Sequence, residues 1–129
     1  MAIRIVQLGS PRHSGEGIRI GTVRRPPRGV RKARYAAENY YDVWLPNLAP
    51  SAPLVSTYQK TKDDKNWKRL AAGYKSEMAK PENSRVIDVL AALSKTTNFS
   101  VGCYCDDERR CHRSILRDIL KQHGAKIAD

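Results

Sequence analysis

The stretch that decides the fold runs from Asn98 to Gly124 and combines a strand pattern with a helix pattern. NFSVGCYC (98–105) is short and apolar, which is typical of a buried strand. CHRSILRDILKQHG (111–124) has apolar residues at helical spacing, and Gly124 is a suitable residue just past a helix end. We therefore predict a strand, a short loop and a helix in direct succession.

The segments that precede this junction complete an α/β pattern. Strands are predicted at IRIVQL (3–8), IRIGTV (18–23) and YYDVWL (40–45), the last as a central strand. Helices are predicted around LVSTYQ (54–59), from Asp63 or Asp64 to Met78, and from Pro81 to Leu93. The helical stretch between the predicted strands at 40–45 and 98–105 is long enough for a crossover between parallel strands. We predict one α/β domain over residues 1–129, with a small and at least partly parallel sheet flanked by helices.

The composition favours a basic cytoplasmic protein. The 129 residues include 24 Lys and Arg against 13 Asp and Glu, a formal net charge of +11. This excess favours an anionic partner such as phosphate, a nucleotide or nucleic acid, although a solvated basic surface gives the same composition. No segment resembles a signal peptide or a membrane span, so no membrane partner is expected. An odd count of three cysteines is a poor disulfide framework. The composition does not predict an oligomeric state.

The cysteines lie where a parallel α/β sheet usually binds ligands, at the loop that follows a strand. Cys111 and Cys105 should lie close to a helix N-terminus, which favours the thiolate. With His112 they are the candidate catalytic residues. Helical spacing directs His112 toward the sheet and Arg113 toward solvent. The alternative is a histidine that merely fixes the loop by hydrogen bonding.

A metal site is the second interpretation of the same loop. Zinc could bind Cys103, Cys105, Cys111 and His112, although the spacing C-x-C-x5-C-H is not a standard one. Adjacent residues at a helix start diverge by about 100 degrees, so we expect Cys111 and His112 to point apart. The spacing also fits the C-x5-R of cysteine phosphatases, but the glycines of a phosphate loop are missing.

A basic loop supplies the candidate ligand-binding residues. RRPPRGVRKAR (24–34) contains six cations and no acid, and its prolines exclude a continuous helix. Together with Trp44, which could stack a base, the predicted ligand-binding set is Arg24, Arg25, Arg28, Trp44 and Arg113. A mobile, solvated loop and an aromatic residue in the core are the alternative interpretations.

Four blocks of sequence resemble the bacterial family called domain of unknown function 488. They are GTVRRPPRGVRK (21–32), YYDVWLPNLAPS (40–51), NWKRLAAGYKSEM (66–78) and VGCYCDDERRCHRSIL (101–116). The resemblance covers about residues 18–120. The chain is similar to the branch of the family in which a cysteine, here Cys105, replaces a glutamate. It implies a small cytoplasmic α/β protein and leaves the activity open. Its motif positions here are Arg25, Arg28, Trp44, Cys103, Cys111, His112 and Arg113.

Three hypotheses follow for the function. The first is a cationic pocket between the basic loop and the cysteine loop that binds a phosphate-bearing or nucleotide ligand and acts on it with a cysteine thiolate. The second is a basic nucleic-acid-binding module whose cysteine loop is structural, with or without zinc. The third is a redox sensor that uses the three cysteines. Whether the chain is an enzyme is left open by its sequence.

Overall fold

The computed structural model describes residues 1–128, and over this range the chain forms one parallel sheet with five strands in the order β3-β2-β4-β1-β5. The strands are β1 (Ile3–Gln7), β2 (Ile18–Gly21), β3 (Val43–Trp44), β4 (Phe99–Cys103) and β5 (Ile127–Ala128). Every pairing between neighbouring strands is parallel. The predicted α/β class is therefore confirmed.

Four α-helices lie in the described part of the chain, close to the predicted positions. They are α1 (Ala52–Lys60), α2 (Asp64–Met78), α3 (Pro81–Leu93) and α4 (His112–Gln122). The side chain of Asp63 accepts a hydrogen bond from the Asn66 amide at 2.8 Å and so caps α2. Pro81 is in the first turn of α3, where its missing N–H costs nothing. No helix within residues 1–128 is long and apolar enough to cross a membrane.

The two faces of the sheet are covered differently. On one face, Ile3, Phe99 and Val101 pack with apolar residues of α2, α3 and α4 in the main core. Strand alternation places Arg19 and its register partner Ser100 on the opposite face. There Glu16 pairs with Arg19 inside the protein, and the 9–17 loop covers both side chains.

Two strands differ from the sequence prediction. β3 is only two residues long and lies at the edge of the sheet, so the predicted central strand at 40–45 is wrong. Val43 is 46% and Trp44 43% exposed, whereas Tyr41 is buried over Gly21 outside the strand. β5 was not predicted, because two residues are too few to produce a periodic pattern.

Candidate functional site

The strand order creates a topological switch point between β2 and β4. β2 continues to β3 on one side of the sheet, whereas β4 continues through α4 to β5 on the other. Neighbouring strands whose connections leave in opposite directions form a switch point, where open α/β sheets bind ligands. The segment from the last residue of β4 into the first turn of α4, here called the cysteine turn (103–113), lies at this point, and residue 22 directly follows β2.

Three metal-binding or nucleophilic side chains meet in the cysteine turn. One donor atom each from Cys103, Cys111 and His112 lies within 4.8 Å of the others, and all three side chains are buried. Cys111 Sγ is 3.9 Å from His112 Nδ1. The expected divergence of these neighbours is wrong, because Cys111 precedes the helix with extended backbone angles (φ −125°, ψ 146°). The helical rotation per residue therefore does not apply to this pair.

A backbone carbonyl fixes the protonation of His112. His112 Nε2 lies 2.7 Å from the carbonyl oxygen of Thr22. Because a carbonyl only accepts, Nε2 carries the proton and Nδ1 presents its lone pair to the cysteines. Burial lowers the pKa of His112 to about 4, so the imidazole is neutral at pH 7. The predicted orientation of His112 toward the sheet agrees with this bond to Thr22, which directly follows β2.

Cys105 lies at the open side of this cluster. Its Sγ is 3.8 Å from Cys103 Sγ, and it is exposed where Cys103 and Cys111 are buried. Hydrogen bonds from the Cys103 and Cys111 thiols hold the pKa of Cys105 well below its usual range. The bond to Cys105 raises the pKa of Cys103 to about 11, and the bond to Cys103 raises that of Cys111 further. The first thiolate therefore forms at Cys105.

Arg113 is buried, so its predicted exposure to solvent is wrong. Only 4% of the residue is exposed, and its Nη2 donates a 2.6 Å hydrogen bond to the Cys105 carbonyl. The backbone at Cys105 therefore lies over the first turn of α4, which helical spacing alone does not predict. Two turns farther along α4, Lys121 is exposed. Arg113 Nε is buried and has no hydrogen-bond partner among the described residues.

The predicted ligand-binding arginines of the basic loop lie at the same edge of the sheet but do not reach the sulfurs. The Arg24 guanidinium donates to the carbonyls of Ala49 and Pro50. Arg25 and Arg28 are exposed, and their side chains form no hydrogen bond within residues 1–128. The loop is instead joined to the cysteine turn through its backbone, since the Tyr104 hydroxyl donates to the Arg25 carbonyl at 2.9 Å. Trp44 Nε1 donates to the Val23 carbonyl at 2.7 Å.

Two contributors to the site were missed by the sequence analysis. Thr22 acts on His112 through its carbonyl, and a backbone group has no signature in the sequence. Tyr104 connects the two loops through its hydroxyl. Its position between Cys103 and Cys105 was a signal that could have singled it out.

Comparison with protein families identifies the relatives of this chain. The family model DUF488-N3a, described as the active DUF488-N3 subclade, matches residues 3–124. The chain belongs to the DUF488 family. The match extends the resemblance from about residues 18–120 to residues 3–124, and the cluster of Cys103, Cys111 and His112 is consistent with the cysteine motif. The chain has no match among curated proteins and none among solved structures.

Proposed function

We propose that the DUF488 chain holds a zinc ion between Cys103, Cys111 and His112, with Cys105 as the ligand on the solvent side. The spacing of the donor atoms carries this proposal. Two sulfurs bound to one tetrahedral zinc ion lie about 3.8 Å apart, because each Zn–S bond is about 2.3 Å long. Cys103 and Cys105 Sγ are 3.8 Å apart, and Cys111 Sγ is 3.9 Å from His112 Nδ1.

The chemistry of the donors supports zinc over a hard cation. Sulfur and imidazole ligands suit zinc, whereas calcium and magnesium require oxygen ligands. The neutral His112 ring already directs a lone pair at the cluster. Its other nitrogen donates to the Thr22 carbonyl, the usual outer partner of a histidine that binds a metal.

The location of the cluster supports a role in ligand chemistry. The three buried ligands would hold the ion at the switch point, and Cys105 would separate it from solvent. A ligand oxygen that displaced Cys105 would be polarised by the ion, as in zinc sites that act as Lewis acids. Phosphate-bearing ligands and nucleotides carry such oxygens and suit a basic protein.

The exposure of Cys105 favours a second candidate function. Without metal, this thiolate would be the nucleophile that acts on the phosphate-bearing ligand, with Cys111 and His112 beside it. Its lowered pKa supports this alternative. A thiolate with a lowered pKa that also accepts a hydrogen bond from the Cys103 thiol is a weaker nucleophile, which makes the metal site the stronger candidate.

Cobalt substitution tests the zinc site. In the metal-free wild-type protein, Co²⁺ should give the intense sulfur-to-metal absorption of thiolate ligation and saturate at one ion per chain. Cys111→Ser and His112→Gln should abolish saturation, whereas the matched control His13→Gln, which changes an exposed histidine, should retain it. A wild-type protein without this absorption would overturn the zinc proposal, and one rapidly alkylated thiol in that sample would favour the Cys105 nucleophile.

A further inference from the structure

Three exposed features lie in a row along the carboxyl edge of the sheet, because strands β3, β2 and β4 are neighbours. Trp44 ends β3, the basic loop (24–34) follows β2, and Cys105 follows β4. The row is held together by two hydrogen bonds. Trp44 Nε1 donates to the Val23 carbonyl, and the Tyr104 hydroxyl donates to the Arg25 carbonyl.

The charge of the basic loop is largely uncompensated. All six of its cations are exposed, and only Arg34 pairs with an acid within the described residues, Glu38 at 3.6 Å. Arg24 is occupied by backbone carbonyls, which carry no net charge. Four cations are left for a partner: Arg25, Arg28, Arg31 and Lys32. Cations concentrated on one loop attract a partner that carries several negative charges.

The exposed indole of Trp44 indicates which class of polyanion would bind this loop. The residue is 43% exposed, although an aromatic side chain of this size is usually buried more deeply. An exposed ring beside a cationic loop is the arrangement that binds single strands, in which cations follow the phosphates and bases stack on aromatic rings. The bases of a duplex are already stacked on one another and cannot stack on Trp44 without opening.

We propose that single-stranded nucleic acid binds along this edge, with its phosphates on the basic loop and an unpaired base on Trp44. This inference rests on the proposed function in one respect, since it names the substrate class that would reach the zinc centre beside Cys105. Strand order would then deliver the nucleotide next to the stacked base to the switch point between β2 and β4.

Fluorescence anisotropy with a labelled oligothymidine tests the proposal in the full chain. Binding should weaken with salt, and the slope of log K against log salt should be about −3, as expected for four phosphate contacts on a single strand. The triple variant Arg25→Ala, Arg28→Ala, Arg31→Ala should bind on the order of 10- to 100-fold more weakly, with a slope nearer to −1. The matched control Arg85→Ala, Lys95→Ala, Lys126→Ala removes the same charge from exposed positions away from this edge and should bind as the wild type does.

Trp44 provides an independent test of base stacking. Trp44→Ala should weaken binding about 5- to 100-fold, whereas Trp44→Phe, which keeps an aromatic face, should stay within about threefold of the wild type. With Trp67→Phe as background, Trp44 is the remaining tryptophan, and its fluorescence should be quenched by the oligonucleotide.

Three results would overturn the inference: no binding at low salt, equal losses in the loop and control triple variants, or tighter binding of a duplex of the same length.

Zinc content measured on the same samples separates the two proposals. A protein that contains zinc but does not bind the oligonucleotide contradicts only this inference. A protein that binds the oligonucleotide through the loop but contains no zinc contradicts only the metal centre.

Discussion

The two faces of β4 each carry a buried polar cluster, and the clusters differ in how fully their atoms are paired. On the loop face, Glu16 accepts hydrogen bonds from Arg19 and Ser100, and Arg19 also donates to the carbonyls of Ser10 and Asn39. On the helix face, His112 Nε2 donates to the Thr22 carbonyl, but Cys103 and Cys111 have only weak thiol donors and His112 Nδ1 keeps an available lone pair. A saturated cluster holds loops in place, whereas an unsaturated one can still bind something.

The largest expected effect concerns the saturated cluster. Arg19→Met should lower the free energy of unfolding by about 3–5 kcal/mol, because it leaves the Glu16 carboxylate buried without its cation. Urea denaturation of the metal-free protein measures this loss, with Arg85→Met, an exposed position, as control. A loss below about 1 kcal/mol would mean that this cluster does not hold the loop face together.

Acid should weaken the same cluster. Burial alone would raise the pKa of Glu16, but hydrogen bonds from Arg19 and Ser100 lower it to about 2. Since the folded-state pKa is depressed, the stabilisation is complete above the unfolded value near 4.5 and is lost as the pH falls toward 2. The loss should reach about 3 kcal/mol and be absent from the corresponding pH profile of Glu16→Gln. Parallel profiles for the two proteins would refute this assignment.

The unsaturated cluster should contribute less to the stability of the metal-free fold. Cys111→Ala should lower the free energy of unfolding by about 1–2 kcal/mol in chelator, the cost of a small cavity. Added zinc should stabilise the wild type by about 4 kcal/mol at a thousandfold excess over its dissociation constant and leave Cys111→Ala unchanged. Equal stabilisation of both proteins by zinc would place the ion elsewhere.

The smallest effect is expected at the connection between the basic loop and the cysteine turn. Tyr104→Phe removes the hydroxyl that donates to the Arg25 carbonyl and should cost about 0.5–1.5 kcal/mol. Hydrogen exchange should show faster opening of residues 24–28 with no change in β1. Unchanged exchange in the basic loop would show that the hydroxyl does not restrain it.

The sequence predicted regular elements well where several residues share one pattern. β4 and α4 follow directly from an apolar run and from helical spacing, and both lie within two residues of the predicted positions. β3 and β5 each have two residues and were misplaced or missed, because their position depends on the strand beside them. A run of apolar residues cannot distinguish an edge strand from a central one.

The candidate site was predicted by residue type but not by geometry. The cysteines and His112 were singled out from the sequence, yet their convergence depends on the extended backbone of Cys111. The burial of Arg113 depends on how the cysteine turn folds over α4. Both features arise from tertiary contacts between segments, which local patterns in one sequence do not encode.

Elemental analysis of the untagged protein, with a thiol count on the same sample, tests the metal centre most directly. We expect one zinc ion per chain and three thiols that react slowly until a chelator removes the ion. A protein without metal, in which Cys105 reacts rapidly and the buried Cys103 and Cys111 do not, would contradict the zinc centre and leave the Cys105 thiolate as the reactive group of this DUF488 protein.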